Sequence, residues 1–591
     1  MAGSTTVPTQ RGGSWLLEDS PQNETFTPER MTEEQRLIDQ TAREFVTNEV
    51  VEHNAQLETQ DWDLARRLLE RCGDLGLLGT DVPETYGGIS LDKVSSAIIA
   101  SRLGQSGSFS TTFGAQTGLA ILPIRTFGTE DQKQRYLPKL VTGEWVGAYC
   151  LSESGSGSDA LGAKTRAVRL EDGSYSLTGE KMWISNGGFA DLYVVFAKVD
   201  GEQFTAFLVE RGFEGVSSGA EEHKMGLAGS STTPVILQDA RVPAENLLGV
   251  IGQGHKVAFN VLNYGRFKLG AATVGSAQMA IGEAARYATQ RQQFNQPIAN
   301  FGAIKHKLGE MTIRAYAIES MVFRTAGLID ASLNEHASDN DGVLLATLEE
   351  YAIEASILKV AGSEILDYIF DENIQIHGGN GYVKDYPAER HYRDSRVNRI
   401  FEGTNEINRL LIPSMLLRRA SKGHLPLIEA AQQVQSEILN LAPTVLDDNR
   451  LLGSQVTAVG MFKKVALAVL GLALQTYGDK LSDQQEILSL TADILIDIFA
   501  AETILHRALQ SNASGMSTAA LQVEAVRSFI SDAAGRIELA ARSALAGMSE
   551  GDNLRIQLAA LRRLLKVTPV NTVSIRRQLA DQVVARAGYI F

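Results

Sequence analysis

Cysteine is scarce in this 591-residue chain: there are two, Cys72 and Cys150, far apart. That excludes a disulfide framework and paired-cysteine metal spacing, and leaves each thiol as a small buried hydrophobe. Metal ligation is therefore not expected. Long apolar runs are absent as well. No window approaches the ~18 consecutive apolar residues of a membrane span. The first 30 residues mix Arg11 and Arg30 with Glu18, Asp19, Glu24 and Glu29 and hold no apolar stretch, so no secretory leader is expected. Basic residues are outnumbered, 55 Lys and Arg against 70 Asp and Glu, for a formal net charge of -15. That balance argues against nucleic acid as a partner, because its binders carry basic faces. The remaining composition, 44% hydrophobic and 21% charged, is that of an ordinary soluble globular protein, and a cytoplasmic location is expected.

Periodicity divides the chain into five parts. Residues 1–30 are rich in Thr, Pro, Gly and Ser and read as a poorly ordered extension. Residues 31–142 read as a helical domain. Thr32 and Gln35 form a capping box ahead of the periodic run Leu37, Ile38, Ala42, Phe45, Val46, Val50. Residues 143–253 carry short apolar or alternating runs separated by turns, as in a compact antiparallel β domain. Helical periodicity returns over 254–422, with long candidate helices at 255–290, 303–333 and 343–371, lengths that fit a bundle. Residues 423–591 read as a separate Ala- and Leu-rich helical domain broken near Pro443, Gly478, Gly515 and Gly551. Its terminal basic residues, Arg562, Arg563, Lys566, Arg576, Arg577 and Arg586, read as a solvated face, with a partner or lipid surface as the alternative. Segment 483–506 carries Asp493, Asp497 and Glu502, which discourages anionic lipid, so membrane association is not expected.

Four segments carry residue types suited to chemistry. Gly155-Ser156-Gly157-Ser158 has a G-x-G core but lacks the strand–helix context of a dinucleotide fold. It reads as a row of amides and hydroxyls for a ligand, or as a surface turn. Gln375-Ile376-His377-Gly378-Gly379-Asn380-Gly381 lets backbone amides crowd an anion or flat ligand, and equally suits a helix C-cap. Trp183 and Ser185, two apart on an expected strand end, point the same way in period-2 geometry; a core Trp is the bland reading. Glu402, between Phe401 and Gly403, becomes a usable base if apolar walls raise its pKa, and is otherwise a surface glutamate at a helix start.

The order and wording of these motifs settle the choice. Tyr149 to Asp159 and Gly179 to Asn186 resemble the two β-domain signatures of the acyl-CoA dehydrogenase family. Arg291-Gln292-Gln293-Phe294, Gln375 to Gly381 and Ile400-Phe401-Glu402-Gly403-Thr404 resemble its bundle signatures, so that the likeness spans roughly residues 32–420. The extra C-terminal stretch and Leu262-Asn263-Tyr264-Gly265-Arg266-Phe267 resemble the long subgroup, which includes very-long-chain acyl-CoA dehydrogenase and bacterial enzymes of fatty-acid degradation.

What the resemblance implies is specific. The fold is mainly α, with a helical N-terminal domain, a β-barrel-like middle domain, a four-helix bundle and an additional C-terminal helical domain. The cofactor is FAD, shared across a homodimer interface. Glu402 is the catalytic base for α,β-dehydrogenation of acyl-CoA in fatty-acid β-oxidation. Leu151, Ser152, Trp183, Ser185, Thr404 and Glu406 contact FAD. Arg291, Phe294, Gln375, Gly378 and Gly379 reach a neighbour's FAD. Ser158 meets the pantetheine and Arg266 lies on the substrate side near the CoA moiety. Electron-transfer flavoprotein takes the electrons. Ser154 stands where the family has Pro, and Ala120 and Pro123 stand where the very-long-chain enzyme floors its acyl tunnel with glycines. That favours medium to long acyl chains. An acyl-CoA oxidase, or a non-catalytic scaffold derived from the enzyme, is the competing reading.

Overall fold

The computed structural model describes residues 10–20, 22–335, 341–439 and 450–591. The Thr32 hydroxyl accepts the Gln35 N–H at 3.1 Å and the Gln35 side chain accepts the Thr32 N–H at 3.0 Å, so the capping box opens the helix Glu33–Phe45 as read. Further helices (Trp62–Asp74, Lys93–Leu103, Gly107–Gly114 and Glu130–Thr142) complete the N-terminal domain.

Eight strands follow: β1 Gly147–Cys150, β2 Arg166–Arg169, β3 Tyr175–Ser185, β4 Leu192–Val199, β5 Gln203–Glu210, β6 Val216–Ser218, β7 Thr232–Val242 and β8 Leu247–Leu248. They form one sheet in the order β6-β7-β3-β2-β4-β5-β8, with β1 also on β4. The sheet is not wholly antiparallel, because β1 and β2 both run parallel to β4. β4 reads as an unbroken apolar run because both its faces are covered. Tyr193, Val195 and Ala197 enter a core shared with Phe45, Leu69 and Phe113, whereas Leu192, Val194 and Phe196 enter one shared with Tyr136, Leu140 and Val261.

The bundle is built on Gly254–Gln290, Gly302–Glu335 and Ala352–His377. The third expected helix is interrupted, since a separate helix Asp341–Glu350 precedes it. Beyond residue 423 the helices are Leu427–Leu439, Gly453–Tyr477, Gln485–Ala513, Ala519–Met548, Gly551–Leu564 and Thr572–Arg586. The breaks near Gly478, Gly515 and Gly551 fall between them; Pro443 lies outside the described residues. Among the described residues this additional domain shares its core with the bundle. Phe462, Ile498, Phe499 and Ile504 belong to one apolar cluster with Phe267, Ile318 and Leu358 of the bundle. The stretch Gly453–Asp483 is long and apolar enough to cross a membrane, yet Phe462, Val465, Val469 and Leu470 on it are buried in that cluster.

The opening segment corrects the reading of a poorly ordered extension, of which residues 1–9 lie outside the described residues. Trp15 is fully buried, its ring centroid 5.1 Å from that of Phe499, and its Nε1 donates to Glu354 at 2.9 Å. Glu29 pairs with the buried Arg507 at 2.8 Å, and Arg507 also grips Glu319 at 2.8 Å. The Ser20 hydroxyl donates to Glu502, which Arg324 holds at 2.8 Å. The segment thus laces the bundle to the additional domain. Its small polar residues masked this, because the anchors' partners lie hundreds of residues away. Trp15→Ala is expected to cost about 3–5 kcal/mol, measured as a fall in the midpoint of urea unfolding.

Candidate active site

A cavity of about 150 Å³ lies against the face of the helix Gly254–Gln290 that presents Gly265, Lys268, Leu269, Ala272, Ser276 and Met279. At 1.5 Å rise per residue that face runs for about 21 Å. The N-terminal domain contributes Ser110, Thr111, Phe113, Gly114, Gly118 and Leu119, and the bundle closes it with Leu366, Phe370, Phe401 and Glu402. A Cβ at Gly114 or Gly118 would meet nothing within 4 Å, so these two glycines leave room for a chain. Ala120 and Pro123, matched above to tunnel-flooring glycines, are buried but do not line this cavity.

Glu402 lies in the short loop between the 3-10 turn Arg396–Arg399 and the helix Asn405–Ser421. Its φ is +57° and that of Gly403 is +78°, a left-handed pair that a non-glycine residue adopts only under constraint. The constraint is visible. Arg266 Nε donates to the Glu402 carbonyl at 3.0 Å, and Asn408 Nδ2 donates to the carbonyls of Gly403 at 2.9 Å and Thr404 at 3.0 Å. The Thr404 hydroxyl caps the following helix by accepting the Ile407 N–H at 3.2 Å. Opposite the carboxylate is Gly265, where a Cβ would come within 2.7 Å of Oε2; only glycine leaves the acid its place. Oε2 is shut off from solvent with no partner among the described residues, as is the hydroxyl of Tyr149 on β1. Burial pushes the Glu402 carboxyl up to about 7, against the pull of the Arg266 and Lys359 cations.

Other sequence-derived residues fall into three groups. Ser185 lines the cavity with Glu402. Trp183 does not, and is 57% exposed. The period-2 argument fails here because the register of β3 on β7 shifts between Lys181 and Ile184 and Trp183 takes φ +58°. Leu151 is buried, Ser152 is half-buried and Ser158 is exposed in the Gly-rich loop. That loop starts from a residue the motif reading left without a role. Glu153 accepts from Lys181 Nζ at 2.7 Å, the Lys164 N–H at 2.6 Å and the Thr165 hydroxyl at 2.6 Å. Burial opposes its charge, yet Lys181, Thr165 and the Lys164 amide hold the acid down to about 2. Its place two residues before the first glycine was the only signal.

Arg266 is 6% exposed, and its guanidinium is taken up by the Glu402 carbonyl and by Asn263 Oδ1 at 3.0 Å. It holds the backbone of the Glu402 loop. Arg291, Phe294, Gln375, Gly378, Gly379 and Glu406 are exposed. Phe294 is 86% exposed in the turn between short strands Gln292–Gln293 and Gln296–Pro297, and Cβ positions at Gly378 and Gly379 face open space. Gly378, at φ +59°, is also the C-cap of its helix, as the second reading of that segment has it. Lys359, fully buried with its Nζ donating to Asn405 Oδ1 at 2.6 Å, carried no local motif.

The raised Glu402 has a stability consequence. A carboxyl whose folded pKa is about 7, against 4.5 as reference, favours the fold in its neutral form. The penalty for ionising it is absent below about pH 4.5 and complete above pH 7, on the order of 3 kcal/mol. Glu402→Gln is therefore expected to raise the denaturation midpoint at pH 8 and to leave it unchanged at pH 4.5, read by urea titration at both.

Comparison with known proteins agrees with this arrangement. Three acyl-CoA dehydrogenase domain models match in sequence: the N-terminal domain over residues 32–144, the middle domain over 148–240 and the C-terminal domain over 252–417. A further model, also described as an acyl-CoA dehydrogenase C-terminal domain, matches 461–563. A probable acyl-CoA dehydrogenase of Bacillus subtilis (strain 168) is 49% identical over 585 residues, 98% of each chain. The human mitochondrial very long-chain specific acyl-CoA dehydrogenase is 37% identical over 493 residues, covering 78% of this chain and 73% of that one. A crystal structure of an acyl-CoA dehydrogenase complexed with FAD, from Bacillus anthracis, superposes with a TM-score of 0.96 at 47% identity, covering 98% of this chain and 100% of that one. A positive-φ glutamate facing a long apolar cavity, on a chain matched from end to end, leaves one conclusion: the protein belongs to the acyl-CoA dehydrogenase family and is an FAD-dependent oxidoreductase acting on acyl-CoA.

Proposed function

We propose that Glu402 removes the α proton of a medium- to long-chain acyl-CoA, giving the trans-2-enoyl-CoA that begins fatty-acid β-oxidation. One observation carries this: a carboxylate oxygen without a partner, closed off from water, at the wall of an elongated apolar cavity. FAD, when bound, supplies the acceptor for the β hydrogen, which leaves as hydride to the flavin N5. The remaining work falls to the chain. Burial keeps Glu402 basic enough to take a proton from carbon. No acceptor among the described residues takes the Glu402 N–H, which suits it to donate to the thioester oxygen as negative charge develops there, a contribution of roughly 3–4 kcal/mol. After transfer the proton rests on the Glu402 carboxyl.

The same reading assigns the surroundings. Ser185 would bond near the flavin's reactive nitrogen, with Leu151, Ser152, Trp183, Thr404 and Glu406 holding the rest of the cofactor in its own subunit. Orphaned buried oxygens at Tyr149 and Glu402 and open Cβ positions at Gly155 and Gly157 fit bound groups there. Ser158 would meet the pantetheine. Exposure of Arg291, Phe294, Gln375, Gly378 and Gly379 supports a homodimer in which they touch the neighbour's FAD. Electron-transfer flavoprotein is the acceptor that the family resemblance favours.

Two outcomes are expected. Glu402→Gln should purify yellow, with FAD retained, and bleach about 10³–10⁴-fold more slowly than the parent on anaerobic mixing with acyl-CoA; near-parental bleaching would remove Glu402 as the base. Gly118→Phe should fill the cavity and lower kcat/KM on the longest acyl-CoAs by about tenfold or more, while short chains are spared, as measured over a chain-length panel.

A further inference from the structure

The additional C-terminal domain reaches the catalytic loop along one unbroken path of hydrogen bonds. Asp493, on the helix Gln485–Ala513, accepts from Arg409 Nε at 2.8 Å. Arg409 grips both oxygens of Glu364, at 2.7 and 2.8 Å. Glu364 Oε1 accepts from Asn405 Nδ2 at 2.9 Å, and Asn405 Oδ1 accepts from Lys359 Nζ at 2.6 Å. Asn405 is the first residue of the helix Asn405–Ser421, three positions past Glu402.

Lys359 is the unusual member. It is fully buried on the helix Ala352–His377, and its hydrogen-bond acceptor among the described residues is a neutral amide. Burying an ammonium costs several kcal/mol unless a negative charge answers it. Burial draws Lys359 down to about 7, and Glu402 leads the acids that favour its ammonium form while Arg266 opposes it. Conversely, the charged and titratable groups bearing on Glu402 are Arg266 from Gly254–Gln290, Lys359 from Ala352–His377 and Tyr149 from β1. Arg266 is committed to the loop's backbone, which leaves Lys359 as the cation whose place is set by the Asn405 amide.

We propose that Lys359 is a positioning residue for the base: through Asn405 it fixes the start of the helix that carries the Glu402 loop, the same bond holds in place the ammonium that acts on Glu402 through space, and Asp493 of the additional domain anchors the path. The inference rests on Glu402 being the base. It gives the stretch beyond residue 423 a task in the reaction that a chain ending with the bundle would have to meet in another way.

The test is the pH dependence of kcat/KM, followed by anaerobic flavin bleaching with a straight-chain acyl-CoA on the full-length FAD enzyme. A neighbouring cation favours the carboxylate, so losing it raises the Glu402 pKa. Lys359→Met should move the acid limb to higher pH by one unit or more, and Lys359→Arg should restore it. Lys359→Gln, which keeps a donor for Asn405 without the charge, should shift the limb as Met does, and it serves where Met disturbs packing. Asp493→Asn, at a half-exposed site, should lower kcat at least threefold with KM unchanged. An acid limb in Lys359→Gln that superposes on the parent's overturns the electrostatic role, and parental kcat in Asp493→Asn overturns the anchoring role. Glu402→Gln in the same assay separates the two levels: if it bleaches normally the base assignment fails, and if it alone is inactive only the present inference fails.

Discussion

An acid with one oxygen shut off from solvent beside an apolar cavity tends to stay protonated, which opposes the role of base proposed for it. The site's construction follows from that opposition. Burial lifts Glu402 to about 7, and two cations from two bundle helices, Arg266 and Lys359, stop it going further. Each needs its own support. Arg266 is held by the Glu402 carbonyl and Asn263, and Lys359 by Asn405. Gly265 clears the space for the carboxylate, and Asn408 ties down a backbone that would otherwise leave its positive-φ geometry. The loop is short, but its conformation depends on three helices.

A comparable economy governs the frame. The additional domain shares its core with the bundle, and the seam is crossed by buried ion pairs centred on Arg507 and Arg324, with Glu29 and Ser20 of the opening segment as participants. Buried ion pairs are weak sources of net stability, because desolvation cancels much of their attraction. Breaking one partner of such a pair, however, strands a charge. The seam therefore tolerates little change, which is the property wanted where one domain must hold a loop of another. In the β domain, Glu153 and Lys181 form a similar buried pair that sets the root of the Gly-rich loop.

Much of this was legible in the chain. Local signals gave local structure: the Thr32 capping box, the long bundle helices and the breaks near Gly478, Gly515 and Gly551 all rest on interactions within a few residues. Motif order gave Glu402 and Ser185, and through family resemblance the cofactor. The failures have a common cause. Trp15, Glu153 and Lys359 act through partners 28 to 339 residues distant, and no periodicity reports those. Trp183 failed differently, since a strand's alternation is reset by a bulge that its own sequence does not announce.

The sequence by itself determined where the Thr32 capping box opens its helix, where the last domain breaks, which family motifs occur and which glutamate lies among them, because capping, periodicity and residue type are properties of neighbours along the chain. Only the tertiary structure decided that one oxygen of this glutamate is shut off from solvent, that Arg266 holds its carbonyl, that a buried lysine is bonded to Asn405 three residues on, and that the first described residues fasten the last domain. Those properties arise from burial and from charges brought together across hundreds of residues, and burial exists only once the chain has folded.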